Sequence, residues 1–139
     1  MELAALLQHI RPSSAEDSRA QRLFRAEATR LVDRLRVLFG EWGTLREVEP
    51  EYDRLANVAA VNRWELMRLA RESEQLQPPR SMGGTQRELH GALTRAARAW
   101  QLLANGYRSH KAVAVCDGQA LLVETLAQVD GLVEQLQMR

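Results

Sequence analysis

Residues 24–45 read FRAEATRLVDRLRVLFGEWGTL. Apolar side chains recur in this stretch at alternating steps of four and three residues, which places them on one stripe of an α-helix. A stripe of this length has to be buried against other helices. Its members are Phe24, Ala28, Leu31, Leu35, Leu38, Trp42 and Leu45.

The same spacing returns in the second half of the chain, with polar Gln86 at one position. The residues of this second stripe are Met82, Leu89, Leu93, Ala96, Trp100, Leu103 and Tyr107. Between the two lies a weaker stripe that Asn62 and Ser73 interrupt, formed by Tyr52, Leu55, Ala59, Leu66, Leu69 and Leu76. Consecutive amphipathic helices with short connections predict an all-α, antiparallel up-down helical bundle.

Prolines divide the chain into segments. Pro12 separates residues 1–12, a predicted short N-terminal helical arm, from a predicted single bundle domain at 13–139. Within that domain the first helix is predicted from about residue 15 to Val48, before Pro50. The second spans roughly 51–77, and the third begins between Met82 and Thr85, after Pro78-Pro79.

The end of the third helix is open to two interpretations. Asp117-Gly118 reads as a turn, and a separate last helix carrying Leu122 and Val129 then gives a four-helix bundle. The alternative is one unbroken helix over residues 85–137, which gives three helices. Such a helix would be about 80 Å long and would need a second copy of the chain to cover it.

Composition excludes several classes of protein. The net charge of +1 gives no overall attraction to nucleic acid or membranes, and 45% apolar with 27% charged residues is typical of a globular chain. No apolar window suggests a membrane span and no signal segment is evident, so we expect a cytoplasmic protein. Nucleic-acid binding is disfavoured because the arginines of the third helix do not share one face, and we expect them instead to pair with acidic residues of neighbouring helices; they are Arg87, Arg95, Arg98 and Arg108.

The sequence carries no motif of an enzyme or metalloprotein. Cys116 is the only cysteine, which excludes an internal disulfide and a multi-cysteine zinc site, and its apolar flank predicts a buried, inert thiol. None of His9, His90 and His110 has the glutamate three residues earlier that a di-metal bundle requires. We therefore expect no catalytic residues, no cofactor and no bound metal.

A candidate interface lies in the second helix. Trp64 is off the main apolar stripe, beside Arg68, and an exposed tryptophan is a typical anchor of protein contacts. Asn62 lies on the stripe, where a polar residue often sets register or oligomeric state. These three residues favour a non-enzymatic helical interaction module that acts through homodimerisation or a partner helix.

The alternative function is binding of a small molecule or anion. Polar residues concentrate near the end of the third helix, where Tyr107, His110 and Lys111 share a helix face beside Arg108. Trp100 would form the wall of a pocket between helices at this point. A solvated, basic helix end is the simpler explanation of the same residues.

Overall fold

The structure, a computed structural model, describes residues 14–137, with side chains from residue 18 onwards. These residues form four α-helices and no β-strand. Their bounds are α1, Ser14–Val48; α2, Tyr52–Gln75; α3, Gly83–Arg108; and α4, Ala112–Gln137, with a 3-10 turn at Arg80–Met82. The predicted all-α class is confirmed, whereas the arm predicted at residues 1–12 lies outside the described residues.

The helices run up and down around the bundle. α3 packs closely on α2 and α4, and α1 completes the bundle by contacting both of these helices. Arg36 on α1 pairs with Asp130 on α4 at 3.0 Å, and the indole nitrogen of Trp42 donates to Gln119 at 3.3 Å. Residue numbers rise along α1 as they fall along α4, so the two helices are antiparallel, as the up-down topology predicts.

The two long apolar stripes form the core. All apolar members of the second stripe, from Met82 in the 3-10 turn to Tyr107 in α3, are buried, as are those of α1 from Phe24 to Trp42. The polar exception, Gln86, donates hydrogen bonds to the carbonyl oxygens of Ser73 and Leu76, at 3.0 and 2.8 Å. These carbonyls lie at the end of α2, where a helix leaves acceptors unsatisfied. Gln86 therefore closes the end of the neighbouring helix.

α3 and α4 are separate helices, so the alternative of one unbroken helix is wrong. The break lies at Ser109–Lys111 and not at the predicted turn Asp117-Gly118. The backbone N–H of Lys111 donates to Gly106 at 2.8 Å and that of His110 to Tyr107 at 3.3 Å. This is the Schellman arrangement, in which the residue after the helix adopts a left-handed conformation, here His110 with φ 53°.

Two glycines bring α3 and α4 close together. A Cβ atom on Gly106 would lie 2.8 Å from the backbone nitrogen of Val115. A Cβ atom on Gly118 would lie 2.8 Å from Leu103 Cγ and 3.1 Å from the carbonyl oxygen of Ala99. Gly118 is therefore a packing contact inside α4 and not part of a turn.

α4 is the most apolar of the described helices. Its length and apolar composition fit a membrane span, and only 22% of its most apolar 18 residues is buried in the bundle. By length and composition this helix is a candidate span, and the absence of a membrane span stays a prediction. A core helix meets the same criterion, and Leu122, Val129 and Leu132 of α4 do lie in the core.

Candidate interaction surface

The outward side of α2 carries a mixed apolar and cationic patch, which we call the Trp64 surface. Trp64 is 73% exposed, although it is a large apolar side chain. Val61, one turn earlier, and Met67 extend the apolar area. The patch also contains three arginines, Arg63, Arg68 and Arg71. Together with Trp64 and Met67, these arginines line a shallow groove of about 330 Å³.

The helical period of α2 explains why this patch points outwards. Leu55, Ala59, Leu66 and Leu69 face the core, and Trp64 falls on the opposite side of a 3.6-residue repeat. The fold therefore gains no core packing from Trp64. Scattered exposed apolar residues are ordinary, but a tryptophan with apolar neighbours on a cationic rim has the composition of a binding surface.

The glutamates beside the Trp64 surface already form ion pairs with arginines of the same chain. Arg34 on α1 donates to both carboxylate oxygens of Glu65, through Nε and, at 3.0 Å, through Nη2. This hydrogen bonding holds the pKa of Glu65 below its ordinary value and raises the pKa of Arg34. Glu72 accepts from Arg30 at 2.9 Å and from Arg68 at 3.3 Å.

Two of the cations are left without carboxylates. Arg63 and Arg71 form no ion pair or hydrogen bond with the described part of the chain. Arg68, by contrast, is held between Glu65 and Glu72. The surface therefore presents an exposed indole beside two unpaired positive charges.

The structure separates the three predicted interface residues. Trp64 and Arg68 lie together on the Trp64 surface, as the sequence suggests. Asn62 does not join them, because its side chain points into the bundle and is only 7% exposed. The residues that sequence reasoning missed are Arg63, Met67 and Arg71, and their spacing around Trp64 on a helix was the signal available.

The candidate ligand-binding residues are split between core and surface. Trp100 and Tyr107 are buried, and the Trp100 ring meets that of Trp42 edge-on, with centroids 5.0 Å apart. Trp100 is thus a core residue and not the wall of an open pocket. Its indole nitrogen has no hydrogen-bond partner among the described residues.

Arg108, His110 and Lys111 are exposed at the turn between α3 and α4. The His110 ring stacks on Tyr52 at 5.1 Å, and Tyr52 meets Tyr107 edge-on at 5.2 Å. Tyr107 and His110 are therefore brought together, but through Tyr52 at the start of α2. The rings pack on one another, so this arrangement ties two helix ends together.

His90 and Cys116 are the other residues that could take part in metal binding or catalysis. Within the described ranges no three His, Cys, Asp or Glu residues are grouped to hold a metal ion. His90 lies between helices, with Nδ1 3.2 Å from Ser73 Oγ and Nε2 3.2 Å from Glu74. Cys116 is exposed, so the predicted buried thiol is wrong; it lies on the outward face of α4, opposite Leu122.

The arginines of α3 were expected to pair with acidic residues of neighbouring helices. Arg95 instead donates to Gln128 at 2.7 Å. Arg87, Arg98 and Arg108 form no ion pair with the described residues. The expected pairing is therefore wrong for α3, and among the described residues the arginine–carboxylate pairs between helices come from Arg30, Arg34 and Arg36 of α1.

Comparison of the chain with protein-family models, with curated proteins and with solved structures gives no match.

Proposed function

We propose that this protein is a non-enzymatic helical interaction module that binds a partner protein through the Trp64 surface. The observation that carries the proposal is the 73% exposure of Trp64 beside two other exposed apolar side chains. Tryptophan is enriched among the residues that dominate binding energy, because it buries a large rigid area on contact. Val61 and Met67 supply the surrounding apolar area.

The charges of the surface favour an acidic amphipathic helix as the partner. Arg63 and Arg71 have no carboxylate of their own, while Glu65 and Glu72 are occupied by arginines. A partner helix with apolar residues on one face would cover Trp64, and carboxylates on its flanks would reach the two free guanidinium groups. Complementary charge of this kind also steers association.

A labelled model peptide tests the proposal. The peptide has leucine at positions i, i+3, i+4 and i+7 and glutamate at the others, and a second peptide has lysine in place of glutamate. We expect fluorescence anisotropy to show binding of the glutamate peptide and not of the lysine peptide. Trp64→Ala removes a contact worth about 2 kcal/mol, so affinity falls roughly 30-fold.

Two variants serve as controls for this experiment. Arg71→Ala weakens binding a few-fold and reduces its dependence on salt, because one charge contact is lost. Leu23 is an exposed apolar residue on α1, outside the Trp64 surface, so Leu23→Ala leaves binding unchanged. Equal affinity of the Trp64→Ala protein, or equal binding of the lysine peptide, would refute the proposal.

Binding of an anion at the turn between α3 and α4 is the second proposal. Arg108, His110 and Lys111 are exposed there, which supports it, whereas Trp100 and Tyr107 are buried and do not. Phosphate would raise the melting temperature of the wild type and leave that of the Arg108→Ala/Lys111→Ala protein unchanged. The same shift in both proteins would remove this alternative.

A further inference from the structure

α4 has a second apolar stripe that the fold does not use. Its members follow steps of three and four on the outward face and are all exposed, Val113 by 74% and Val123 by 59%. The stripe runs for about 21 Å of helix, and two exposed acidic residues, Asp117 and Glu124, border it on one side next to Ala120. The stripe consists of Val113, Cys116, Ala120, Val123 and Ala127.

A surface helix ordinarily has one apolar face, and α4 has two. The inward face is buried against α3 and carries Gly118, Leu122 and Val129. Short side chains on the outward stripe, such as Ala120 and Ala127, permit another helix to approach closely. Beside the stripe, a groove of about 370 Å³ between α1 and α4 is lined by Gly40, Gly43 and Val123, among others.

We propose that α4 packs antiparallel against α4 of a second copy of this chain, with the twofold axis at Ala120. An interface between identical copies must be complementary to itself. The outward stripe meets this condition, because it extends seven residues from Ala120 in each direction. Val113 then lies opposite the second copy's Ala127, and Cys116 lies beside the second copy's Val123.

The charges at the two ends of α4 select the antiparallel direction. The turn before α4 carries three exposed basic residues, Arg108, His110 and Lys111. The other end of the helix carries Asp130, which also pairs with Arg36, and Glu134. An antiparallel pair sets each basic turn beside the acidic end of the second copy, whereas a parallel pair sets like charges together.

This interface is distinct from the Trp64 surface and does not depend on it. α2 and α4 each pack on α1 and α3, so they lie diagonally across the bundle. Dimerisation through α4 therefore leaves Trp64 exposed. The dimer would present two Trp64 surfaces at once, and each would remain open to a partner.

Disulfide cross-linking distinguishes the directions of packing. In the antiparallel pair the two Cys116 residues are about 12 Å apart along the helix axis, too far for a disulfide, while the two residues 120 face each other. We expect mild oxidation to give a covalent dimer of the Cys116→Ser/Ala120→Cys protein. The wild type, which has Cys116 alone, and the exposed control Cys116→Ser/Gln101→Cys stay monomeric on denaturing gels.

Light scattering provides the second measurement on the full chain. The wild type should have the mass of a dimer, and Ala120→Glu should give a monomer with unchanged helical circular dichroism, because residue 120 is exposed. A monomeric wild type at high concentration, cross-linking through Cys116, or a dimeric Ala120→Glu protein would overturn the proposal. So would a monomer that floats with phosphatidylcholine vesicles through this stripe.

Discussion

At the scale of single residues, two glycines of α4 have opposite surroundings. A Cβ atom on Gly118 would collide with Leu103, whereas one on Gly131 would meet nothing within 4 Å. We expect Gly118→Ala to destabilise the protein by about 1–3 kcal/mol, because α3 and α4 are forced apart. Gly131→Ala should stabilise it by about 0.5–1 kcal/mol, because alanine loses less backbone entropy in a helix.

Urea unfolding of the two variants measures both effects. The variants add the same methyl group to the same helix, so helix propensity alone predicts the same sign for each. A stabilised Gly118→Ala protein would show that α3 and α4 do not approach as closely as the structure indicates.

Glu65 makes stability depend on pH. The hydrogen bonds from Arg34 lower its pKa below the ordinary value of 4.5, so the folded state binds its proton less readily than the unfolded state. The stabilisation is complete above the unfolded-state pKa and is lost as pH falls through the folded-state pKa. We expect Glu65→Gln to cost about 1 kcal/mol at neutral pH and nearly nothing once the wild-type carboxylate is protonated.

Urea unfolding at neutral and acidic pH checks this expectation. Glu124→Gln is the control, because Glu124 is exposed and forms no ion pair with the described residues. A loss for Glu65→Gln that is the same at both pH values would mean that the ion pair is not its source.

At the scale of the elements, the sequence is a good guide to helices and a poor guide to the last break. Apolar spacing identifies the buried face of α1 and α3, since burial follows directly from the helical period. The break at His110 carries neither glycine nor proline. The break is formed by backbone hydrogen bonds to the carbonyl oxygens of Gly106 and Tyr107. Such bonds leave no pattern of residue types in the sequence. The sequence predicts the turn at Gly118 instead, although Gly118 lies inside α4 and permits close packing against α3.

His110 offers a test of the break itself. Its φ of 53° is unfavourable for any residue with a Cβ atom and free for glycine. Both His110→Ala and His110→Gly remove the ring that stacks on Tyr52, so only the backbone cost differs between them. We expect the glycine variant to be more stable than the alanine variant by about 1 kcal/mol in urea unfolding. An equally stable or more stable alanine variant would mean that the chain does not turn at this residue.

At the scale of the whole molecule, the predicted single domain has a direct test. Trp42 of α1 and Trp100 of α3 are in contact in the core, so tryptophan emission reports on helices that are distant in sequence. In a Trp64→Phe protein, emission and circular dichroism should change together in one denaturant transition. An emission change that precedes the loss of helix would show that α1 separates from the bundle first.

The candidate surfaces differ in how far sequence reveals them at this scale. Trp64 stands out because it breaks the apolar period of a helix whose bounds are clear from flanking prolines. The outward stripe of α4 does not stand out in the sequence. A turn at residue 117 would place Val113 and Cys116 in the preceding helix, away from Ala120 and Val123. Only when α4 begins at Ala112 do these residues align with Ala120 and Val123. The position of one turn thus decides whether the second surface is visible.

The short connection between α3 and α4 also determines the order in which the helices are expected to fold. Closing a three-residue turn costs little entropy, whereas the contact between Arg36 and Asp130 joins residues 94 positions apart. The α3–α4 hairpin should therefore be formed in the folding transition state, with α1 docking later. In stopped-flow kinetics Gly118→Ala would slow folding, and Glu65→Gln would instead hasten unfolding. The glycine that lets two helices touch would then be among the residues that govern how fast the protein folds.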